Sequence, residues 1–127
     1  MNRIGNQKLS NLDIVLPVAA GAVIHEAVMV AVNADGYAVE AYKAVGLKTA
    51  GCALQLVDNS AGAAGAVVVP VRRGAFVWGN DGSVKQTDIL KDAYISDAQT
   101  VNATDAGSSR AGKILAVDAD GVTVEMG

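Results

Sequence analysis

The side chains able to do chemistry are few, and their spacing limits what they can do. His25 is the only histidine, and its neighbour is Glu26. Adjacent side chains on a strand point to opposite faces, so these two cannot form an acid–base dyad there. A lone histidine without cysteine or a second histidine also makes a poor transition-metal site. A polar residue at a strand start is the expectation. Cys52 is the only cysteine, which excludes an intrachain disulfide, and within "GCALQLV" it reads as a small core hydrophobe. No histidine is implied beside Ser60, Ser108 or Ser109, so no nucleophile–base pair is expected. "NAT" at Asn102 matches a glycosylation acceptor, which matters only in a chain secreted by a eukaryote.

Two motifs come closer to chemistry. "GSSRAGKI", from Gly107 to Ile114, resembles a phosphate-binding loop but ends in Ile114 where magnesium needs a hydroxyl. It leads into a strand-like segment rather than a helix whose N-terminus could face phosphate. The second is an echo. "VNADGYAVE" (Val32 to Glu40) and "VDADGVTVE" (Val117 to Glu125) share one pattern. A calcium loop aligned on Gly36 puts its terminal ligand positions at Ala31 and Tyr42. Aligned on Gly121, they fall at Ala116 and Gly127. Neither copy supplies ligands at its ends. Asp-Gly between apolar runs is instead a hairpin signal. With Asp35-Gly36 and Asp120-Gly121 at the tips, Val32 is expected opposite Val39 and Val117 opposite Val124. The other face then carries Ala31 opposite Glu40 and Ala116 opposite Glu125.

The elements that position these residues read as strands. Short Val- and Ala-rich runs alternate with Gly, Asn and Asp turns, as in a small barrel or sandwich. Strands are expected at Asp13–Val18, Glu26–Asn33, Tyr37–Tyr42, Gly51–Val57, Ala66–Arg72, Ala75–Trp78, Ala93–Ile95 and Lys113–Glu125, the last with an internal turn. Pro70 cannot donate to a ladder, which predicts an edge or a bulge. "TDILKDAYISDA" is the one helical candidate, with Asp88 as its cap; a single turn leading into a strand fits it as well. The fold class expected is therefore all-β: a small β-barrel, β-tulip-like or sandwich domain over residues 12–127 with at most one short helix. Residues 1–11, polar and without periodicity, read as a flexible arm.

Composition narrows the function classes. A formal net charge of −3 with scattered signs argues against a nucleic-acid partner. The apolar run Ile14 to Ile24 is too short for a membrane helix, and Asp13 and Pro17 argue against a signal peptide; it reads as a buried strand. No catalytic residue, metal ligand or cofactor is expected, so the chain reads as a non-enzyme. Phe76 and Trp78, two of five aromatics, share a strand face as core or as interface anchors. Arg72 and Arg73 adjoin them as a rim. Arg3, Leu9 and Leu12 complete the interface candidates.

"DAYISDAQTV" (Asp92 to Val101), followed by "SSRAGKILAVDADGVTVEM" (Ser108 to Met126), resembles the C-terminal half of tailed-phage head decoration, or cement, proteins. Their "Y-x-x-D-D-Q-T-V" is matched here at Tyr94, Asp97, Gln99, Thr100 and Val101, with one Asp of the pair replaced, and "S-R-A-G" and a closing hairpin follow. "AVVVPVRRGAFVW" resembles their preceding strand. The likeness covers about the last two-thirds of the chain. It implies a barrel-like subunit that sits as a homotrimer on the outer capsid surface and bridges capsomers. The implied partners are the major capsid protein and further copies of itself, with no nucleic acid or membrane. The chain would be made in the cytoplasm of a bacterial host and end in the virion. The alternative is a ligand- or carbohydrate-binding β-module, which would expose Trp78 and tyrosines as a stacking platform.

Overall fold

A computed structural model describes residues 13–126. In chain order the strands are β1 (Asp13–Pro17), β2 (Val23–Ile24), β3 (Met29–Val32), β4 (Ala38–Glu40), β5 (Lys48–Ala53) and β6 (Val57–Asp58). They continue with β7 (Val68–Arg72), β8 (Ala75–Asn80), β9 (Asp92–Asp97), β10 (Thr100–Asn102), β11 (Arg110–Asp118) and β12 (Gly121–Met126). The first half forms an antiparallel sheet in the order β1-β7-β5-β3-β4, with β2 and β6 paired apart from it. Its outer strands approach each other through one bridge, Val18 to Ala38. The second half is a closed barrel in the order β10-β8-β12-β11-β9, so the all-β expectation holds in its barrel form.

Two cores follow. Val18, Ile24, Val30, Val69 and Val71 fill the first. Trp78, Ile95, Val101, Ile114, Val122 and Val124 fill the barrel, where Met29, Ala31 and Ala41 of the first half join them. Strand β3 thus serves both cores, with Met29, Val30 and Ala31 all fully buried. Burying a side chain of this size contributes roughly 1.5–3 kcal/mol, which is why β3 is an apolar run without alternation.

Both echoed segments are hairpins, in registers other than those expected. Val32 pairs with Ala38, Ala31 with Val39 and Val30 with Glu40. Val117 pairs with Val122, and beyond a bulge Ile114 pairs with Val124 and Lys113 with Glu125. The cause is the residue before the alanine. Asn33 Oδ1 accepts the Asp35 N–H at 3.0 Å, and Asp118 Oδ1 accepts the Asp120 N–H at 2.9 Å. An Asn or Asp at the first turn position and Gly at the fourth is the type I preference, so the turn begins one or two residues before Asp-Gly. Gly36 (φ 89°) and Gly121 (φ 137°) then take backbone conformations that L side chains rarely adopt.

Three other expectations are corrected. Pro70 lies in an internal strand, because β7 pairs with both β1 and β5. The ladder to β5 ends at Ala53, and Leu54 donates its N–H to the Pro70 carbonyl, so no bond is asked of the Pro70 nitrogen. Of the two readings of the helical candidate, the single turn leading into a strand is the one found: a 3-10 turn, Gln86–Asp88, before β9, and it is the cap that is corrected. Asp88 stands at its end rather than capping its start, accepting the Lys85 N–H at 2.8 Å. The run from Ile14 to Ile24 is broken into β1, a turn and β2, and β3 starts at Met29 because Ala27 has φ 65°.

Candidate functional site

The chain leaves β2 and turns through residues 25–28. That turn is pinned to β5, where Ala27 donates to the Ala53 carbonyl and Ala53 donates to that of Val28. His25 there meets Glu40 on β4. The His25 N–H and its Nδ1 both reach Glu40 Oε2, at 2.7 and 2.6 Å. An ionised carboxylate has no hydrogen to give, so Nδ1 carries it and Nε2 is left free of this contact. Opposite lies the turn between β9 and β10. Asp97 Oδ1 accepts the Gln99 N–H at 2.8 Å, and the Ala98 carbonyl accepts the Met29 N–H at 2.8 Å. That last bond fastens the barrel to the first sheet.

Between these two turns and β4 lies an open groove of about 300 Å³, lined by His25, Val28, Glu40, Asp97, Ala98 and Gln99. Glu40 Oε1 and Asp97 Oδ2 accept no hydrogen bond among the described residues. The described residues hold no cluster of three His, Cys, Asp or Glu side chains able to bind a metal ion. What the groove offers is an oriented imidazole and two carboxylate oxygens, which suit a planar hydrogen-bond-donating cation. Sequence reasoning tested His25 only against Glu26 and missed Glu40. The repeated motif glutamate was the available signal.

The interface candidates separate. Trp78 is 5% exposed and donates its Nε1–H to Met126 Sδ at 3.4 Å, so it is a core residue and offers no stacking platform. Phe76 is half-buried with its ring centroid 6.1 Å from that of Trp78. Arg72 forms a two-point pair across β7 and β1 with Asp13, at 2.8 and 3.1 Å. Its hydrogen bond holds the Asp13 carboxyl below the usual carboxylate range. Arg73 is exposed and makes no ion pair among the described residues. Arg3, Leu9 and Leu12 lie outside the described residues.

The larger exposed apolar residues on this side were not anticipated. Asp13, Val15 and Pro17 of β1 pair with Arg72, Pro70 and Val68 of β7, so all six share one sheet face. The same face on β5 and β3 carries Cys52 and Met29, which pack on the barrel core. Beyond the barrel no described residue covers it, and Val15 is 62% and Val68 52% exposed. Both strands read as near-continuous apolar runs, the signature of strands meant to be covered on both sides. No helix among the described residues is long and apolar enough to cross a membrane. Comparison with protein-family models, curated proteins and solved structures returns no match for the chain.

Proposed function

We propose that the protein is a structural virion subunit that decorates a phage capsid from outside and strengthens contacts between capsomers as a trimer. One structural observation supports this reading: the exposed apolar residues Val15 and Val68 on one face of β1 and β7, which no described residue covers. A face of this kind marks a contact surface. The sequence likeness of the last two-thirds to head decoration proteins supplies the kind of partner. The function is mechanical: each subunit adds buried area, and many modest contacts sum through multivalency.

Co-sedimentation with empty shells of the major capsid protein from the same genome tests the reading. The full chain is expected to pellet with the shells. Val15→Lys/Val68→Lys, whose side chains replace exposed ones, is expected to fold and stay in the supernatant. Removing residues 1–11 is expected to weaken pelleting as well. A full chain that never pellets with shells overturns the reading.

A further inference from the structure

We infer that the Asp35–Gly36 linkage is a site of spontaneous modification, where the chain rearranges to isoaspartate while the matching Asp120–Gly121 linkage stays intact. The reaction is independent of the decoration role. The chain has three Asp-Gly pairs, beginning at Asp35, Asp81 and Asp120, and the first and last lie in the repeated A-D-G. The chemistry needs no enzyme and no co-reactant but water. The Gly36 backbone nitrogen attacks Cγ of the protonated Asp35 carboxyl. The new N–Cγ bond closes a five-membered imide, and the carboxyl hydroxyl leaves as water with the amide proton. Water then adds at the Asp35 main-chain carbonyl carbon and breaks its bond to the nitrogen. The chain thereafter runs through the former side-chain carbonyl, with one more backbone carbon and no net change in mass. Glycine favours closure because no Cβ shields its nitrogen.

Closure needs a carboxyl free to swing and a nitrogen able to leave its hydrogen bond. At the tip between β3 and β4, Asp35 and Gly36 are both exposed. The Asp35 carboxylate takes part in no hydrogen bond or ion pair among the described residues, where only its backbone N–H is engaged. The Gly36 N–H has one bond, to the Asn33 carbonyl at 3.0 Å, and a Cβ on Gly36 would meet nothing within 4 Å. Asp81 is held instead, its Oδ1 accepting the Ser83 N–H at 2.8 Å and the Ser83 hydroxyl at 2.6 Å. Gly121 is buried in β12 against the Trp78 carbonyl, so its nitrogen cannot turn without opening the seam to β8. The product also fits the first tip alone of the two copies. There Asn33 donates its N–H to the Tyr37 carbonyl at 2.9 Å, closing the loop outside the reacting linkage, so the β3–β4 register is kept. At the other tip Gly121 already pairs with Asp118, which leaves no slack for an added backbone carbon.

Prolonged incubation of the full chain at body temperature and mildly acid pH tests this, with a parallel sample in concentrated urea. Peptide mapping by electron-transfer fragmentation distinguishes isoaspartate from aspartate at each site. In the folded chain, isoaspartate at Asp35 is expected to exceed that at Asp81 and at Asp120 by about tenfold or more, because a loop tip opens locally far more readily than a core seam. In urea the three sites are expected to come level, since each then offers the same Asp-Gly pair to solvent. Asp35→Glu, which would have to close a larger ring, is expected to melt with the parent and to show no rearranged linkage at that position. No isoaspartate at Asp35 in the folded chain, equal amounts at the three sites, or the same ratios folded and in urea overturns the inference.

Discussion

The two halves of the chain each build a five-stranded sheet and close it differently. The barrel of β8–β12 closes through a ladder at every seam, one of them parallel and three broken by register shifts, and keeps Trp78 inside. Among the described residues, the first sheet closes through the single bridge between Val18 and Ala38, and Val15 and Val68 are more than half exposed. Full closure removes exposed edges, while partial closure leaves an edge strand and an outer face free for partners. The division assigns stability to the C-terminal half and contact to the N-terminal half, and the experiments below are ordered by how hard they strain it.

The largest effect is expected at Gly112, where β11 crosses β12. A Cβ there would sit 2.1 Å from the Glu125 carbonyl oxygen and 2.8 Å from Val124 Cγ1. The Glu125 backbone cannot yield without opening the barrel ladder. Gly112→Ala is therefore expected to cost about 4 kcal/mol or more, read as a collapsed denaturant midpoint. A midpoint near that of the parent would mean the barrel is not the stability centre.

A smaller loss is expected where the first sheet is held shut. Asn59 is 3% exposed, and its Nδ2 donates to the carbonyls of Ala19 at 2.9 Å and Ala63 at 3.0 Å, with Val18 at 3.4 Å. Removing it takes a side-chain donor from three carbonyls beside the closing bridge, each of which keeps only its backbone donor. Asn59→Ala is expected to cost about 1–3 kcal/mol. Amide exchange should rise in β1 and β4 before it rises in the barrel. Equal acceleration in both halves would show that they open as one unit and would dissolve the contrast.

The contrast also explains what could be read from the chain. Turn residues and β-branched runs announce an all-β fold because each acts locally. Register was lost because Asn33 and Asp118 start the turns, a role that the Asp-Gly pair masks. The Asn/Asp at the first position was visible, but weighing it against a two-residue tip needed the hydrogen bonds. His25 and Glu40 lie 15 residues apart, and their contact depends on where β4 falls. The exposed apolar face was legible in "IVLP" and "VVVPV" as strands apolar on both sides, but which side stays open depends on where the barrel packs.

The smallest effect is expected at the open edge itself. Asp13 and Arg72 join β1 to β7 at the surface, with side chains 33% and 51% exposed, so water and salt screen the pair. Asp13 titrates below its ordinary value of 3.8, chiefly through the hydrogen bond from Arg72. A carboxylate with a lowered folded-state value binds its proton more weakly than in the unfolded chain. Its contribution is present above pH 3.8 and lost as pH falls through the lower folded value. Asp13→Asn should therefore melt slightly below the parent near neutral pH in dilute salt, and the gap should close in acid and in about 1 M salt. A gap that persists in acid would mean that Asp13 holds β1 by something other than charge, and that the edge is more rigid than a partly closed sheet requires.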